Sequence, residues 1–372
     1  MGVSPDVTVF ALVNGLRDPR DPRGRQYPLG AVLLVALCAL SCRFDSFRAT
    51  GQWAAAAPAS TLERFGLRRR GVFGLVKAPS AATIGRVVSA VTPGGLEELL
   101  RVFLDKALTV AVDGKCLRGS RDQAGQAVTV LGAILRDGTL VAQQRVPDRT
   151  NEITGFAALL SVLDLEGAVV TADALHTRRD HARVLVEEFG ARYVFTVKRS
   201  QPDLWAACRA VPWERVSASS RSTVRAHGRV ETRVIQAVTW GDLDFPHVRQ
   251  VARLTRYRTS AKTGKRSRET VYVITDLSSA QAGPQEIGAF VRGHWGVENK
   301  IHYVRDVTFT EDESRIRTRH GAQNMATLRS VAMNLLRQAG SSIADARRAM
   351  ATAPYTAPLD LFGIPTDLHV QP

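Results

Sequence analysis

The chain has 372 residues, 45% of them hydrophobic, so it is long enough for one large domain or two to three smaller ones with buried cores. Its 50 Lys and Arg residues outnumber 35 Asp and Glu residues, which gives a net charge of +15 and a pI near 10.4. A charge of this size favours a polyanionic partner, either nucleic acid or an anionic membrane surface.

Two features argue against a membrane or metal-thiolate protein. The most apolar window, LGAVLLVALCALSC at residues 29–42, is shorter than the roughly 20 residues of a bilayer span and follows a charged, proline-containing segment. We interpret it as a buried helix, which leaves nucleic acid as the favoured partner and no membrane association. The cysteines form no CxxC pair, which predicts a reduced, cytoplasmic protein without a zinc-thiolate site. With nucleic acid as the favoured partner, we expect this protein to be nucleoid-associated.

Residues 1–105 are predicted to form a helical, DNA-binding domain. Besides the apolar window, it contains PSAATIGRVVSAV, where Ser80 is placed to cap a helix. The segment RFGLRRRG at residues 64–71 carries a cluster of arginines, Arg68, Arg69 and Arg70 among them. Such a cluster is either a solvated surface or a phosphate contact, and the basic composition keeps the second interpretation open.

Residues 106–198 show strands followed by alternating helices and strands, which predicts a mixed sheet covered by helices. The first strand ends on Asp113 and the fourth on Asp173. In this strand order the two strands lie side by side, and residue alternation turns each aspartate to the same face as the residues two and four before it. Ligands bind at the carboxyl ends of such strands, although Asp113-Gly114 is also an ordinary turn signal.

Residues 199–280 are predicted to be a basic, β-rich insertion. Residues 253–268, RLTRYRTSAKTGKRSR, contain seven basic residues and no acid, and they turn near Gly264. The alternatives are a solvated loop and a hairpin tip that contacts the DNA backbone. The candidate contacts in this hairpin are Arg256, Lys262, Lys265 and Arg266.

A helix carrying Glu298 is predicted within residues 281–340, and residues 341–372 form a tail without an assigned function. Glu298 falls on the apolar stripe of this helix, so we expect it to face the core, where a lone carboxylate needs a partner. A metal ion and a salt bridge, for instance with Arg305, are the two alternatives. Glu311, Asp312 and Glu313 are the fallback positions for this third acid.

Oxygen ligands from three separate elements favour Mg²⁺ or Mn²⁺, and a pair of such ions suits phosphoryl transfer. A rival interpretation places zinc on His294, Glu298 and His302, which recur at four-residue spacing on the helix. This pattern lacks the HExxH spacing of a zinc protease, so we favour the histidines as hydrogen-bond partners or phosphate contacts.

Three motifs together resemble the DDE transposases of bacterial insertion sequences, specifically the H-repeat-associated group. VAVDGKCLRGS is similar to the first-aspartate motif, VVTADALHT to the second, and HWGVENKIHYVRDVTFTEDESRIR to the glutamate motif. The resemblance covers nearly the whole chain. It implies an α/β, RNase H-like catalytic domain with a β-rich insertion and an N-terminal helical domain, in which Asp113, Asp173 and Glu298 bind two Mg²⁺ ions.

The sequence departs from the family signature around the glutamate. Val291 stands at the tyrosine position, His294 at the arginine position and Arg305 at the lysine position, with Arg292 nearby, so the DNA contacts of this region become uncertain. Lys198 and Gln201 resemble a lysine and a glutamine that lie near the active site in the family, with Ser200 in place of the intervening asparagine.

The resemblance implies metal-dependent DNA cleavage at element ends, followed by strand transfer into target DNA without a covalent protein-DNA intermediate. Double-stranded DNA is the implied partner, and synapsis of two DNA ends favours a homodimer. An RNase H-like nuclease or resolvase that stops after hydrolysis, and a catalytically inert DNA-binding relative, are the alternatives. The basic insertion argues against the first, and the presence of all three acids argues against the second.

Overall fold

The computed structural model describes residues 8–104, 109–121, 125–146, 152–218, 220–226, 228–340 and 342–366. The predicted boundary at residues 105–106 lies outside these residues. The first part of the chain is helical, as expected, apart from one short hairpin. Its elements are α1 (Val9–Gly15), α2 (Leu29–Ser41), α3 (Phe47–Ala56), α4 (Ala59–Arg64), β1 (Arg69–Arg70), β2 (Leu75–Val76), α5 (Ala81–Ala90) and α6 (Glu98–Arg101).

The apolar window forms α2, and every residue of this helix is buried. An all-apolar helix is stable only when other elements surround it, and α1, α3 and α5 pack around α2. Ser80 caps α5 by accepting a hydrogen bond from the backbone N–H of Thr83 at 3.3 Å. The predictions of a buried helix and of a serine cap are therefore confirmed.

The rest of the chain is built around one nine-stranded mixed sheet. Its strands are β3 (Thr109–Arg121), β4 (Ala127–Leu135), β5 (Leu140–Arg145), β6 (Val169–Ala172), β7 (Arg192–Val197), β8 (Ser220–Ala226), β9 (Arg229–Thr239), β10 (Gln250–Ser260) and β11 (Arg266–Thr275). Their order across the sheet is β5-β4-β3-β6-β7-β11-β10-β9-β8. Strands β3, β6 and β7 run parallel, and all other neighbours in the sheet are antiparallel.

The helical elements after β5 are α7 (Glu152–Leu160), α8 (Arg179–Arg183), α9 (Pro202–Ala210), α10 (Pro284–Val297), α11 (Gly321–Gln338), α12 (Ile343–Thr352) and α13 (Ala357–Leu361). The α8 helix continues into a π-helical turn (Val184–Glu188), and α10 continues into π-helical turns (Glu298–His302 and Val304–Thr308). A short 3-10 turn (Glu311–Glu313) precedes α11.

Helices cover both faces of the sheet. Val110 and Val112 of β3 point into a core with Phe156 of α7, whereas Ala111 points into the core that contains α2, α10 and α11. This alternation is the one expected for a strand covered on both sides. The mixed α/β architecture with its N-terminal helical region confirms the predicted fold class and agrees with an RNase H-like fold.

The basic insertion continues the same sheet. Strand β11 pairs with β7, and β10, β9 and β8 follow it outward. The turn between β10 and β11 contains Gly264 with φ +66°, a conformation that glycine adopts without steric cost. The hairpin predicted at this position is therefore present, and β7 separates its two strands from β6 and β3 in the sheet.

Candidate active site

Asp113 and Asp173 each follow the last residue that pairs β3 with β6, two neighbouring parallel strands. Asp113 lies within β3, which continues to Arg121, so the prediction that this strand ends on Asp113 is wrong. Val112 of β3 is paired with Ala172 of β6, so the next residue along each strand is one of the two aspartates. Asp113 Oδ1 accepts a hydrogen bond from the backbone N–H of Gly114 at 2.9 Å, and Asp173 Oδ1 accepts one from Leu175 at 2.8 Å. The sheet therefore brings together the two acids that the sequence singled out.

The surroundings of Asp113 disfavour its charged form. Burial raises the pKa of this carboxyl to about 7, and the negative charges of Asp173 and Glu152 act in the same direction. The Gly114 N–H and His176 oppose this shift without cancelling it. A partly buried carboxylate beside other acids is stabilised by a cation, which is the electrostatic property expected of a metal site.

Glu298 does not face the core, so that prediction is wrong. Its side chain is 75% exposed. The buried stripe of this helix runs through His294, Val297 and Ile301. Four-residue spacing from His294 predicts that Glu298 faces inward. In the structure Val297 occupies that inward position, and Glu298, the next residue, faces solvent.

His302 connects Glu298 to the aspartates. Its Nδ1 lies 3.2 Å from Glu298 Oε2, and its Nε2 lies 3.8 Å from Asp113 Oδ2. Burial lowers the pKa of His302, and the positive charge of Lys115 adds to this effect. Glu298 and Asp113 therefore lie on opposite sides of the same imidazole, and the hydrogen bond between His302 and Glu298 agrees with the predicted role of these histidines as hydrogen-bond partners.

His294 occupies a different environment from His302. It is 8% exposed, its Nδ1 lies 3.3 Å from Thr171 Oγ1, and burial lowers its pKa to about 4. The predicted phosphate contact at His294 is therefore wrong, because the ring packs between helix and sheet. The zinc arrangement of His294, Glu298 and His302 is also wrong, since His294 faces the interior and Glu298 faces solvent.

Arg305 is a buried structural residue and not a DNA contact, so that prediction is also wrong. It is 2% exposed and donates hydrogen bonds to Glu311 at 2.6 Å and 3.0 Å. Arg329 donates a third hydrogen bond to Glu311, at 3.2 Å. Burial acts to raise the pKa of Glu311, but the two arginines outweigh it and hold the pKa below its usual value. Arg305 consequently forms no salt bridge with Glu298. Glu311 is a poor candidate for the third acid, because its carboxylate is already paired with two arginines.

Two lysines lie beside the aspartates. Lys198 Nζ is 3.5 Å from Asp173 Oδ2, and its side chain is 58% exposed. Lys115 is buried and its Nζ is 2.5 Å from Asp306 Oδ1, so its charge is compensated within the fold. Gln201 hydrogen-bonds the backbone carbonyl of Thr177, four residues after Asp173. Lys198 and Gln201 thus lie next to the second aspartate, as the resemblance implies.

The remaining predicted DNA contacts divide by exposure. Arg256 is largely buried, pairs with Glu269 at 2.7 Å and lies 4.8 Å from the ring of Trp295, so its predicted role as a free phosphate contact is wrong. The exposed members are Arg68, Arg69, Arg70, Lys262, Lys265, Arg266 and Arg292. The arginines at 69 and 70 form strand β1, whose hairpin exposes Phe73 at its tip. The exposed residues stay predictions.

Glu152 and His176 belong to the same region and were not identified from the sequence. Glu152 is the first residue of α7, and His176 Nε2 lies 3.6 Å from Glu152 Oε2. A glutamate in the first turn of a helix is common because it interacts favourably with the helix dipole, so it carried no distinctive signal. Only the packing of α7 onto the sheet brings its charge close enough to influence Asp113.

The acids at this end of the sheet fit a hard divalent cation by their chemistry. They offer carboxylate oxygens without thiols, and the raised pKa of Asp113 reflects negative charge that a cation would compensate. Within the part of the chain that the structure describes, no three Asp, Glu, His or Cys side chains are grouped closely enough to hold a metal ion as they stand.

Comparison with known proteins decides the family. Residues 105–335 match the family described as Transposase DDE domain, and residues 10–104 match the family described as DDE_Tnp_1-associated. The chain belongs to the DDE transposases. Two relatives from Escherichia coli K12 that are named H repeat-associated putative transposases, YhhI and YbfD, assign this transposase to the H-repeat group.

Curated relatives match the transposase over most of its length. The "H repeat-associated putative transposase YhhI" of Escherichia coli K12 is 27% identical over 348 residues, which cover 88% of this chain and 90% of the relative. The "Putative protein YbfL" of the same strain is 30% identical over 296 residues, covering 74% of this chain and 78% of the relative. The "Putative transposase YncI" of Escherichia coli O157:H7 is 27% identical, with 87% and 86% covered.

Family membership implies DNA as the substrate and divalent metal ions as cofactors of the transposase. Among its described helices, none is both long and apolar enough to cross a lipid bilayer.

Proposed function

We propose that this transposase cleaves DNA at the ends of its element and joins the freed 3′ ends to target DNA, with Asp113, Asp173 and Glu298 as the metal-binding acids. The observation that carries the proposal is the position of Asp113 and Asp173 side by side, directly after the last residue pair that joins β3 to β6, Val112 with Ala172. His302 lies between Glu298 and Asp113: its Nδ1 is 3.2 Å from Glu298 Oε2, and its Nε2 is 3.8 Å from Asp113 Oδ2.

The cofactor we propose is Mg²⁺, with Mn²⁺ as a substitute and two ions per site. Bound there, these ions would lower the pKa of the attacking water and compensate the negative charge that develops on the reacting phosphate. The donor set of carboxylate oxygens is the type that both ions prefer.

The chain's own residues position the reacting groups. Asp113 and Asp173 are held by strands whose backbones pair on both sides, so their separation is set by the sheet. His302 orients Glu298, and burial lowers its pKa, so it acts as a neutral ring near pH 7. Lys198 is close to Asp173 and exposed, which suits it to contact a phosphate of the bound strand.

Affinity for DNA is proposed to come from the exposed basic residues and not from the acids. The hairpin tip with Lys262, Lys265 and Arg266 and the arginines at 68–70 lie on separate elements, so a duplex contacting both would be held along its backbone. A homodimer on the DNA would supply one active site for each element end.

Nicking of supercoiled plasmid in Mn²⁺ tests the proposal. Asp113→Asn, Asp173→Asn and Glu298→Gln should each lose nicking by at least 100-fold while DNA binding stays within about twofold, since each change removes a proposed metal ligand only. Glu188→Gln, a change at an exposed acid on α8's π-helical extension, is the matched control. Nicking that survives Glu298→Gln would remove Glu298 from the site.

Product analysis separates transposition from simple hydrolysis. Labelled duplexes from the DNA flanking the gene should be joined covalently to target plasmid by the wild type. Nicked products without any joined product would support a nuclease or resolvase, and binding without nicking would support an inert relative.

A further inference from the structure

The carboxylate of Glu152 lies against the backbone of Gly114, the residue after Asp113. Only glycine at position 114 leaves room for this contact. A Cβ atom built on Gly114 would lie 2.3 Å from the carboxylate carbon and from both carboxylate oxygens of Glu152. Real Cβ contacts are never this short, so the carboxylate occupies the volume that a side chain at position 114 would need. Glu152 therefore points at the residue following the first aspartate and not along the surface of α7.

A second, independent observation comes from His176, three residues after Asp173. Its side chain is 1% exposed, and neither ring nitrogen has a hydrogen-bond partner among the described residues. The Nε2 atom faces Glu152 Oε2 at 3.6 Å, slightly beyond hydrogen-bond distance. A buried polar group without a partner is costly, so a small movement of the carboxylate toward the ring would be favourable.

The interior holds these two side chains in place. The ring of Phe156, one turn after Glu152 on α7, lies 5.2 Å from the His176 ring and 4.0 Å from the His181 ring. His181 Nε2 lies 3.1 Å from the Ile153 carbonyl oxygen, and its Nδ1 lies 3.1 Å from the His176 carbonyl oxygen. The start of α7 and the turn after Asp173 are thus packed as one unit, which fixes the position of Glu152.

A purely structural role does not explain this placement. A glutamate at a helix start stabilises the helix equally well when it points to solvent. Here its carboxylate lies against Gly114, the residue after Asp113, and its negative charge disfavours the charged form of Asp113. Like charges that influence each other in this way are unfavourable unless a cation lies among them.

We propose that Glu152 is a fourth acid of the site, which binds a divalent cation together with Asp113 and Asp173, and that His176 is a positioning residue for its carboxylate. The inference rests on the proposed function, since it takes the cation site at Asp113 and Asp173 as given. Its distinct content is that two residues outside the three sequence-identified acids determine metal affinity.

Binding of Mn²⁺ alone to the metal-free, full-length protein tests this, with calorimetry and the free-Mn²⁺ signal in electron paramagnetic resonance as readouts. Glu152→Gln should weaken Mn²⁺ binding at least tenfold. Gly114→Ala should weaken it as well, because the new methyl group displaces the carboxylate while every charge is kept. Glu188→Gln should bind like the wild type, and thermal unfolding without metal shows that each variant is folded.

His176 is tested by rescue. His176→Ala should weaken Mn²⁺ binding, and His176→Gln, which returns a hydrogen-bond donor near the carboxylate, should recover most of the affinity. Loss of affinity in both variants to the same extent would overturn the positioning role, because packing alone would then explain it.

The outcomes distinguish this inference from the proposed function. Binding that Asp113→Asn weakens, but that Glu152→Gln and Gly114→Ala leave unchanged, would overturn the fourth-acid assignment and leave the proposed function standing. A wild type that binds no Mn²⁺ would overturn the cation site itself, and the assignment with it.

Discussion

Arg305 donates two hydrogen bonds to Glu311 in the interior of the molecule, at 2.6 Å and 3.0 Å, and both side chains are almost fully excluded from solvent. The pair joins the segment after Glu298 to the 3-10 turn before α11. Although the acidic run at residues 311–313 lies close in sequence to Glu298, its first residue, Glu311, therefore has a structural role.

Glu311→Gln is expected to destabilise the fold by about 3 kcal/mol, because it leaves two buried arginines without their counter-charge. Urea unfolding monitored by tryptophan fluorescence measures this. The neighbouring Glu313→Gln changes an exposed residue and should alter the free energy of unfolding by less than about 0.5 kcal/mol. Equal effects of the two substitutions would contradict the assignment.

Asp113 predicts a dependence of stability on pH in the metal-free protein. Its folded pKa of about 7 exceeds the ordinary value of 3.8, so the folded state holds this proton more tightly than the unfolded state. The free energy of unfolding therefore falls as pH rises from about 4 to about 7, because the folded state must release a proton that it binds more tightly than the unfolded state does. Above pH 7 the charged carboxyl of Asp113 destabilises the metal-free fold. Asp113→Asn should stabilise the metal-free protein at pH 8 by about 2 kcal/mol.

Thermal unfolding at pH 8 and at pH 4 in the presence of EDTA measures this difference, which should be much smaller at the lower pH. Asp242→Asn, at an exposed position, is the control and should show no gain at either pH. Binding of Mn²⁺ should show the opposite trend and weaken as pH falls through about 7, since the proton on Asp113 competes with the metal.

The basic hairpin tip predicts the salt dependence of DNA binding. Replacing Lys262, Lys265 and Arg266 together by glutamine should reduce the slope of log K against log salt by about 2 to 3, if each contacts one phosphate. Fluorescence anisotropy with a labelled duplex at several salt concentrations measures the slope. Arg256→Gln is the matched control, because this arginine is largely shielded from solvent and paired with Glu269 at 2.7 Å, so its loss should leave the slope unchanged.

Gly119 of β3 packs directly against the backbone around the 3-10 turn, so we expect that no other residue fits at this position. A Cβ atom at this position would lie 2.3 Å from the Asp312 carbonyl oxygen and 2.5 Å from the Ser314 carbonyl oxygen, and backbone atoms do not move aside easily. Gly119→Ala should destabilise the fold by about 2 kcal/mol by forcing β3 away from the 3-10 turn. Gly241→Ala, with no neighbouring atom within 4 Å, should be close to neutral in the same thermal unfolding assay.

Local patterns were sufficient to predict the elements that carry the first two acids. β-branched runs identified β3 and β6, turn residues identified the hairpin tips, and the order of elements placed the two strands side by side. The buried apolar helix α2 and the cap at Ser80 were also predictable, because they depend on residues close together in the chain. These features follow from chain periodicity and short-range hydrogen bonding.

Predictions that depended on what a side chain faces were less successful. Glu298 was expected inside and lies outside, because a stripe of period 3.6 leaves an uncertainty of one residue at its edge, and Val297 occupies the inward position. Arg256, His294 and Arg305 were expected at the surface on the strength of their polarity. His294 and Arg305 are buried and Arg256 is largely buried because a partner on another element lies against each of them: Thr171, Glu311 and Glu269 respectively.

The sequence by itself determined the strand that contains Asp113, the strand that precedes Asp173 and the adjacency of these two strands, together with the family to which the motifs belong. Only the tertiary structure decided that Glu152 and His176 lie at the site, that His302 links Glu298 to Asp113, and that Glu311 is paired with arginines. Those contacts join residues on separate elements, and their existence depends on how helices pack onto the sheet. Periodicity along the chain records which residues share a face, and it holds no information about what lies opposite that face.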